Sequence, residues 1–355
     1  MADLAELGFD SLFAEQFSLL PEHDNLLPAR VCADSGDLFE LVGCPARHGV
    51  LAGRLRYQAA GQQRPTTGDW VTVERDSEPA VITHVLERKT ALVRRAAGSD
   101  RRAQIVAANV DVYFIVTSAN LEFNPRRIER YLTAIWDSGA QPVLVLNKID
   151  LLSDPAALVS QAEQVCGGAP VLPVSALTGQ GMAALSAHLR AGQTFGFVGS
   201  SGVGKSSLIN ALCGRDIQTT ARIGVDDKGD HTTTRRELVA LPGRGVLVDT
   251  PGMRELGILL AGTGLDQTFS DVVQVAAGCR YRDCRHQGEP GCAVALAVDD
   301  GELSAERVAS YLKLQREAAA AEARQSPQLA ANTKRRWKAI HKRRRAYGKL
   351  RGGSD

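Results

Sequence analysis

Three short motifs that are typical of nucleotide sites occur in this chain in an unusual order. Residues 147–150 read Asn-Lys-Ile-Asp, residues 199–206 read Gly-Ser-Ser-Gly-Val-Gly-Lys-Ser, and residues 249–252 read Asp-Thr-Pro-Gly. In the common order the phosphate loop, G-x-x-x-x-G-K-S, comes first and N-K-x-D comes last. Here N-K-x-D precedes the phosphate loop. Because three such motifs in one short window are not expected by chance, we infer a circularly permuted domain.

Length and charge limit what else the chain contains. Its 355 residues suffice for two or three domains with separate cores. Hydrophobic residues make up 44% and charged residues 23%, which is ordinary globular composition. The formal net charge is +2, but residues 331–355 hold ten Lys or Arg against one acid, a local charge of +9. A basic tail on a mildly acidic body indicates a tail that contacts polyanions.

The cysteines and the N-terminus indicate in which cellular compartment the protein is expected. Seven cysteines are present, an odd number, and three of them crowd between Cys279 and Cys292. This pattern favours a reducing environment and one metal site over a disulfide framework. The N-terminus lacks a basic, apolar leader, and no run approaches the ~20 apolar residues of a membrane helix. We therefore expect a cytoplasmic protein, and we expect it to be monomeric.

The spacing of apolar residues divides the chain into regions. From Arg30 to about Leu92, short apolar runs are broken by Gly, Pro and Asp, which predicts a small barrel of about five strands. From about Ala108 to Gly257, buried strands alternate with helical patterns, which predicts a doubly wound α/β domain. The expected domains are an N-terminal extension, the barrel, the permuted nucleotide-binding domain, a zinc-binding domain with helices and a basic tail, at residues 1–29, 30–105, 106–257, 258–324 and 325–355.

Each nucleotide motif follows a predicted buried strand. One predicted strand ends at Asn147, another leads into Gly199, and another ends at Asp249. In doubly wound sheets ligands bind at the carboxyl ends of the strands, so the motifs are expected to converge there. A helix is predicted between the first two strands, at residues 126–137. The predicted strands are residues 110–117, 141–146, 171–174, 194–198 and 245–248.

The phosphate loop accounts for anion binding. Its glycines let successive backbone N–H groups curl around a phosphate. Lys205 would neutralise phosphate oxygens and Ser206 would ligate Mg²⁺, while a helix over residues 205–212 would aim its positive end at the phosphates. The alternative, a glycine-rich structural turn, is disfavoured by the strand before and the helix after. The predicted contacts to GTP are Gly199, Ser200, Ser201, Gly202, Val203, Gly204, Lys205, Ser206 and Ser207.

The N-K-x-D motif explains base choice. The Asp150 carboxylate can accept from both N1–H and the exocyclic amine of guanine, a pair that adenine lacks. Asn147 would meet the other edge of the base or tie the loops together, and the Lys148 stem would lie against the ring. Taken alone, Asn-Lys-x-Asp also makes a good turn. The predicted guanine contacts, including a backbone N–H from the end of the next strand, are Asn147, Lys148, Ile149, Asp150, Ser175 and Ala176.

Residues for hydrolysis lie in two further segments. Asp249 fits a carboxylate that holds Mg²⁺ through water, and the Gly252 N–H would sense the γ-phosphate. The next residue is Met253, which cannot orient the attacking water as a glutamine does. His231 is the candidate for that role, and the alternative is a solvated loop histidine. The predicted catalytic residues, with one threonine of 232–234 completing the magnesium shell, are His231, Thr233, Thr234, Asp249 and Gly252.

A second metal site is predicted further along the chain. Three cysteines and one histidine fall within fourteen residues in the pattern C-x4-C-x-H-x5-C, at Cys279, Cys284, His286 and Cys292. Three thiolates and one imidazole form a closed, structural zinc shell, and zinc would fold this Gly/Arg-rich stretch. The spacing differs from the usual C-x2-C, and the alternative is chance clustering. A helical pattern follows over residues 302–324.

Basic and aromatic residues suggest two nucleic-acid surfaces. Barrels of the OB type bind single strands through such a face, and the tail interleaves Trp337 and Tyr347 with its basic residues. A run of charge is more often only a solvated surface. Beside a barrel and a metal module, RNA binding is the favoured interpretation. The candidates on and near the barrel are Arg54, Arg56, Tyr57, Arg64, Trp70, Arg94, Arg95, Arg101 and Arg102.

Together these features resemble one family, the small ribosomal subunit biogenesis GTPases called RsgA or YjeQ. The resemblance runs from about residue 30 to 324. It implies an N-terminal OB-fold, a permuted GTPase core and a C-terminal zinc module. It also implies a late role in maturing the small subunit, whose rRNA would be a partner and which would stimulate GTP hydrolysis. Met253 fits the family pattern, and Asp230 departs from the basic residue usual there. The segments that carry the resemblance are 68–71, 107–111, 147–150, 199–206, 231–234, 249–252 and 279–292.

Two functions of different classes follow from these residues. One is a GTPase that the small subunit stimulates and whose hydrolysis releases it from a precursor particle. The other is a nucleotide-gated rRNA-binding module with negligible turnover. Lys205, Ser206 and Asp249 favour the first function, whereas Met253 leaves the second open. GTP turnover measured with and without small subunits separates them.

Overall fold

The structure, a computed structural model, describes most of the chain outside a few connections and the C-terminal tail. For residues 58, 95, 103, 249 and 322–324 the backbone alone is described. The contacts divide the chain into two units, Met1–Ile258 and Leu259–Asp355. Among the described helices, none combines the length and apolar character that crossing a bilayer requires. The described residues are 3–21, 23–58, 64–95, 103–120, 123–213, 237–249 and 263–324.

Five strands near the N-terminus close into the predicted barrel: β1 (Leu26–Asp34), β2 (Phe39–Val42), β3 (His48–Leu51), β4 (Trp70–Glu74) and β5 (Ala80–Val85). They pair in the order β1-β2-β3-β5-β4, with β3 parallel to β5 and the other pairs antiparallel. Alternate side chains of the strands fill the interior, as the period of two along a strand requires. The barrel core includes Val31, Phe39, Val71 and Ile82.

The segment before the barrel forms a short helix that the residue pattern did not predict. Helix α1 (Ser11–Ser18) is capped at its N-terminus by Asp10, whose carboxylate accepts a hydrogen bond from the Leu12 N–H at 3.1 Å. Phe9 and Phe13 pack against Trp70, with ring centroids 4.8 and 5.9 Å apart. Trp70 is 0% exposed. The expectation that Trp70 belongs to a nucleic-acid face is therefore wrong, because this packing takes its ring into the core.

A β-hairpin and a six-stranded sheet follow the barrel. The hairpin pairs β6 (Ala91–Arg95) with β7 (Ala103–Ala108). The sheet has the order β10-β9-β8-β11-β13-β12, in which β12 alone is antiparallel to its neighbour. The parallel strands confirm the α/β prediction, and the edge strand β12 was not predicted. The strands are β8 (Val112–Ser118), β9 (Gln141–Asn147), β10 (Val171–Pro173), β11 (Thr194–Val198), β12 (Glu237–Leu241) and β13 (Gly245–Asp249).

The connections between these strands contain helices that bury one face on the sheet. The four helices are α3 (Pro125–Ser138), α4 (Ala156–Val165), α5 (Met182–Ala187) and α6 (Lys205–Cys213), whereas the short helix α2 (Gly53–Gln58) follows β3 in the barrel region. Helix α3 is set by local signals. Asn124 caps its first turn, Pro125 supplies a helical φ at the start, and Gly139 ends it at φ 85°. The sheet core is apolar, with Phe114, Val145, Phe195 and Leu247 among its buried residues.

A buried arginine joins the barrel to the sheet. Arg30, on β1, is 1% exposed. Its Nη1 donates to the Leu7 carbonyl, and its Nε donates to the Gly68 carbonyl at 3.3 Å. Its Nη2 donates to the Thr194 Oγ1 at 2.8 Å and to the Asn109 carbonyl at 3.5 Å. One guanidinium thus binds the N-terminal segment, the barrel, the connection to the sheet and the first residue of β11.

The charge of this arginine is compensated nearby. Desolvation lowers the pKa of Arg30 to about 10, against the opposing effect of Asp111, so the side chain stays charged at neutral pH. Burial raises the pKa of Asp111, and Lys89, the Thr194 N–H and Arg30 oppose that rise. The Asp111 carboxylate accepts from the Thr194 N–H at 2.7 Å. The junction is therefore a hydrogen-bonded polar centre within an apolar interior.

The second unit is described by itself as four helices around a cysteine-rich loop. Arg307 lies in the last helix and binds the first two helices of the unit. Its Nη2 donates to the Thr268 carbonyl of the first at 2.8 Å and to the Asp271 carboxylate of the second at 2.9 Å. The long last helix confirms the helical pattern predicted over residues 302–324. The helices are α7 (Thr263–Thr268), α8 (Ser270–Ala276), α9 (Ala293–Asp299) and α10 (Ala305–Arg324).

Replacing Arg30 should destabilise the first unit strongly. Arg30→Met leaves the buried carbonyls of Leu7, Gly68 and Asn109 without their donor and removes a positive charge near Asp111, so we expect a loss of about 3–5 kcal/mol in the free energy of unfolding. Arg30→Lys keeps the charge but cannot reach all its partners, and should lie in between. Urea unfolding measures the effect, with the exposed Arg54→Met as the matched control. Stability of Arg30→Met equal to that of the control would contradict the role of this junction.

Candidate functional site

Three loops that carry predicted site residues meet at the carboxyl edge of the sheet. They follow β9 at Asn147, β10 at Pro173 and β11 at Val198. Strands β8, β9, β10 and β11 are parallel, so their ends face the same way. The predicted convergence of the guanine and phosphate motifs is thus what the fold produces.

Asn147 is the centre of this edge. Its side chain is 2% exposed. Its Nδ2 donates to the Val203 carbonyl at 2.9 Å, and its Oδ1 accepts from the Ala176 N–H at 3.2 Å. Two roles were considered for Asn147, and in the structure its side chain connects the phosphate loop to the loop that follows β10. The Ala176 N–H, which is predicted to serve a guanine oxygen, donates to this asparagine in the structure.

The lysine of the N-K-x-D motif also contacts the phosphate loop. Lys148 has a left-handed backbone (φ 63°), and its Nζ donates to the Gly202 carbonyl at 2.7 Å. Ile149 is buried and anchors a single 3-10 turn, Ile149–Leu151. Asp150 lies in that turn and is exposed, as a carboxylate that accepts from a base must be. Ser175 is buried, and its Oγ accepts from the Thr178 N–H at 3.1 Å.

Two glycines of the phosphate loop are required by close approach. A Cβ on Gly199, which has φ +143°, would lie 2.2 Å from the Val116 carbonyl oxygen. A Cβ on Gly204, which has φ +96°, would lie 2.3 Å from the Asn147 Nδ2. Both positions therefore exclude any side chain. The loop lies directly against β8 and against the asparagine of the guanine motif.

The end of the phosphate loop supplies a cation and hydroxyls. Lys205 begins α6, and its Nζ donates to the carbonyls of Gly199 and Ser200 at 2.7 and 2.6 Å. Ser206 and Ser207 follow in the first turn of α6 and are exposed. This arrangement offers backbone N–H groups, a helix N-terminus and an ammonium group to one anion. It suits a phosphate.

The predicted catalytic residues belong mostly to the connections around β12 and β13. Asp249 is the last residue of β13, which lies beside β11, so its backbone reaches the same edge of the sheet. Its side chain lies outside the described residues. His231, Thr233, Thr234 and Gly252 lie outside them as well, and so does Met253.

The predicted metal ligands come together in the second unit. One donor atom from each of four residues lies within 4.8 Å of the other three: Cys279, Cys284, His286 and Cys292. The Cys279 and Cys292 sulfurs lie 3.6 and 3.5 Å from the His286 Nδ1. Tetrahedral zinc, with Zn–S about 2.3 Å and Zn–N about 2.1 Å, requires a sulfur–nitrogen separation of about 3.6 Å. The cluster can therefore hold a metal ion of this kind.

Backbone and carboxylate groups organise this cluster. Desolvation would raise the pKa of the Cys279 thiol, but hydrogen bonds from the Val294 and Ala293 N–H groups outweigh it and lower the pKa. The Glu289 carboxylate accepts from the Gln287 N–H at 2.7 Å and the Arg285 N–H at 3.1 Å. Glu289 was not predicted. Its position in the sequence between the ligands His286 and Cys292 could have indicated this role, because side chains outside the ligand set commonly hydrogen-bond and fix the loops that carry metal ligands.

The permuted order of the motifs, with the phosphate loop and the N-K-x-D loop together at the carboxyl edge of the sheet, defines a circularly permuted P-loop GTPase. A barrel precedes it in the chain. The RsgA GTPase family model matches residues 85–259. A small ribosomal subunit biogenesis GTPase RsgA from Opitutus terrae is 43% identical over 98% of this chain and 99% of its own length. The chain belongs to the RsgA GTPase family.

Further relatives and solved structures agree with this assignment. An RsgA 2 protein from Listeria monocytogenes is 46% identical over 83% of this chain and 84% of its own. The crystal structure of YjeQ from Thermotoga maritima has a TM-score of 0.62 at 29% identity, covering 83% of this chain and 99% of that one. YloQ, described as a circularly permuted GTPase, has a TM-score of 0.59 at 24% identity, covering 84% and 97%. The family resemblance and the fold class predicted from the motifs are confirmed.

Proposed function

We propose that this chain hydrolyses GTP in the biogenesis of the small ribosomal subunit, with the subunit as its partner and activator. The observation that carries the proposal is the position of Asn147, whose amide joins the phosphate loop at Val203 to the next loop at Ala176. A guanine motif and a phosphate motif so joined form one nucleotide site. The names of the relatives, small ribosomal subunit biogenesis GTPases, supply the partner.

The phosphate groups of GTP bind the backbone of residues 199–204 and Lys205, and the N-terminus of α6 faces them. Ser206 would ligate Mg²⁺, and Asp249 would hold it through water. When bound, this ion neutralises charge that develops on the phosphate oxygens. Gly252 offers its backbone N–H to the γ-phosphate. The support for these assignments is the G-x-x-x-x-G-K-S loop between β11 and α6.

Guanine is selected by Asp150, whose carboxylate accepts from N1–H and from the exocyclic amine. The exposed turn that carries Asp150 follows directly on Lys148, which contacts the Gly202 carbonyl. The base therefore binds within reach of the same loop as the phosphates. Adenine offers no matching pair of donors.

Hydrolysis requires a group that orients water, and Met253 offers none. His231 takes that role, with Thr233 and Thr234 beside it in the chain. The isolated protein is therefore a slow enzyme, and the small subunit completes the site as trans-acting activators complete other GTPases. We assign turnover to this chain in place of the alternative, a nucleotide-gated module without it, because the chain belongs to a GTPase family.

The second unit would hold one structural zinc ion through the sulfurs of Cys279, Cys284 and Cys292 and one nitrogen of His286. The barrel and the basic tail contact rRNA, the tail through its charge and the barrel through exposed groups such as Tyr57, which is 93% exposed. Assembly on the small subunit places the protein in the cytoplasm. We propose that it acts there as a monomer.

Asp150→Asn should change base selectivity. The amide turns one acceptor into a donor that faces the guanine N1–H and amine, so we expect GTP affinity to fall about 10- to 100-fold and xanthosine triphosphate to bind better. Titration with both nucleotides measures this. Glu163→Gln, on the exposed face of α4, is the matched control. Wild-type protein that binds ATP and GTP equally well would reject the assignment.

Turnover should depend on the subunit and on His231. Alone, the chain should hydrolyse GTP well below about 10 per second, and added small subunits should accelerate it. His231→Ala should lose most of the stimulated rate with nucleotide affinity nearly unchanged, whereas Lys205→Ala should weaken binding itself. Single-turnover rates with and without small subunits test both. A fully stimulated His231→Ala variant would return this histidine to the role of a solvated loop residue.

Zinc should be found at one equivalent per chain by elemental analysis of protein prepared without chelator. Cys284→Ser should lose the ion and unfold the second unit, because metal binding and folding are coupled in such modules. GTP binding should survive, since the phosphate loop lies in the other unit. Cys44→Ser, outside the cluster, should keep the ion. Zinc-free wild-type protein with an intact second unit would overturn the assignment.

A further inference from the structure

A side-chain cation from outside the known motifs also reaches the phosphate loop. The Arg127 Nη1, on α3, donates to the Ser200 Oγ. The Ser200 carbonyl accepts a hydrogen bond from the Lys205 Nζ at 2.6 Å. We propose that Arg127 is a positioning residue for nucleotide binding, which holds the phosphate loop through the Ser200 hydroxyl. The inference rests on the proposed GTP site.

Arg127 extends from a fixed point of the fold. It lies in the first turn of α3, where its own N–H donates to the Asn124 Oδ1 at 3.1 Å. The residue that follows, Ile128, is buried, and Leu132 one turn further on is buried too. The cap and the buried face fix the backbone from which the guanidinium extends. The contact to Ser200 therefore links the loop to a rigid helix.

The course of the strands explains why Ser200 is the loop residue that α3 contacts. Gly199 lies against Val116 so closely that no Cβ fits between them. Val116 belongs to β8, and β8 leads through a short connection into α3. The entry of the phosphate loop and the first turn of α3 thus stand side by side. Ser200 is the first loop residue with a side chain that can accept a hydrogen bond there.

The charges at this point favour a polyphosphate. Lys205 and Arg127 bring two positive groups to Ser200, so an anion that binds beside this residue is attracted to both. A nucleoside diphosphate or triphosphate supplies that anion at the adjoining backbone N–H groups. Arg127 is exposed, so solvent screens its charge and its effect is moderate.

The test is nucleotide affinity of the full chain, measured with fluorescent GTP and GDP. Arg127→Ala should raise both dissociation constants about fivefold, a size that suits one partly exposed charged hydrogen bond. The ratio of the two constants and the intrinsic kcat should stay the same, because the loop serves both nucleotides alike. Arg127→Lys should recover part of the affinity. The neighbouring exposed Arg126→Ala is the matched control and should bind as wild type does.

A double variant tests the route through the hydroxyl. Ser200→Ala should weaken binding as much as Arg127→Ala, and the two changes together should be no worse than either alone, because they remove the same contact. Fully additive effects would overturn the proposal that Arg127 acts through Ser200. Thermal unfolding of each variant establishes that it is folded.

Lys205→Ala in the same titration separates this inference from the proposed function. If Lys205→Ala loses most of its affinity while Arg127→Ala and Ser200→Ala bind as wild type does, the role of Arg127 is wrong and the GTP site stands. If Lys205→Ala binds GTP normally, the site itself is wrong. Loss in all three variants, with the control unchanged, supports both.

Discussion

The arrangement of the first unit depends on one buried cation. Arg30 contacts Leu7, Gly68, Asn109 and Thr194, which come from four distant parts of the chain. A guanidinium deprived of these partners in the interior would cost several kcal/mol, so the four segments must be in place together. Thr194 begins β11, the strand that ends in the phosphate loop. The barrel is thereby joined directly to the strand that positions the nucleotide site.

Circular permutation leaves this site intact because its contacts depend on adjacency in space and not on chain order. Gly199 against Val116 is a contact between the neighbouring strands β11 and β8, and Asn147 with Val203 joins the ends of β9 and β11, which lie on either side of β8. In this order the chain enters the sheet at β8 and leaves it after β13, the two strands on either side of β11. Both ends of the permuted core are therefore next to the phosphate-loop strand. The barrel that precedes β8 meets the phosphate-loop strand β11 at its start, where the Arg30 Nη2 donates to the Thr194 Oγ1.

The residue pattern was sufficient where the signal was local. Long apolar runs predicted the parallel strands, and motifs at strand ends predicted the nucleotide edge. The pattern failed where partners are remote. Burial of Arg30 requires four segments that no local spacing reveals, and an aromatic among arginines suggested a stacking surface at Trp70, which Phe9 and Phe13 cover. For Asn147 two roles stayed open until the geometry decided between them, since its bond to Val203 depends on a glycine at position 204 with no Cβ.

The carbonyl groups of the phosphate loop accept hydrogen bonds from side chains, and this prepares the loop to bind an anion. Side-chain donors from Asn147, Lys148 and Lys205 bind the carbonyls of residues 199, 200, 202 and 203. With its acceptors engaged in this way, the loop offers its N–H groups to negative charge. Binding is thus built into a rigid edge of the sheet. In our proposal hydrolysis depends on other segments, 231–234 and 249–253, in which the methionine after D-T-P-G brings no group that could hold water. If the fold binds GTP in this way and no residue at that position orients water, an activator would complete the site, and this division suits an enzyme whose turnover should wait for its partner.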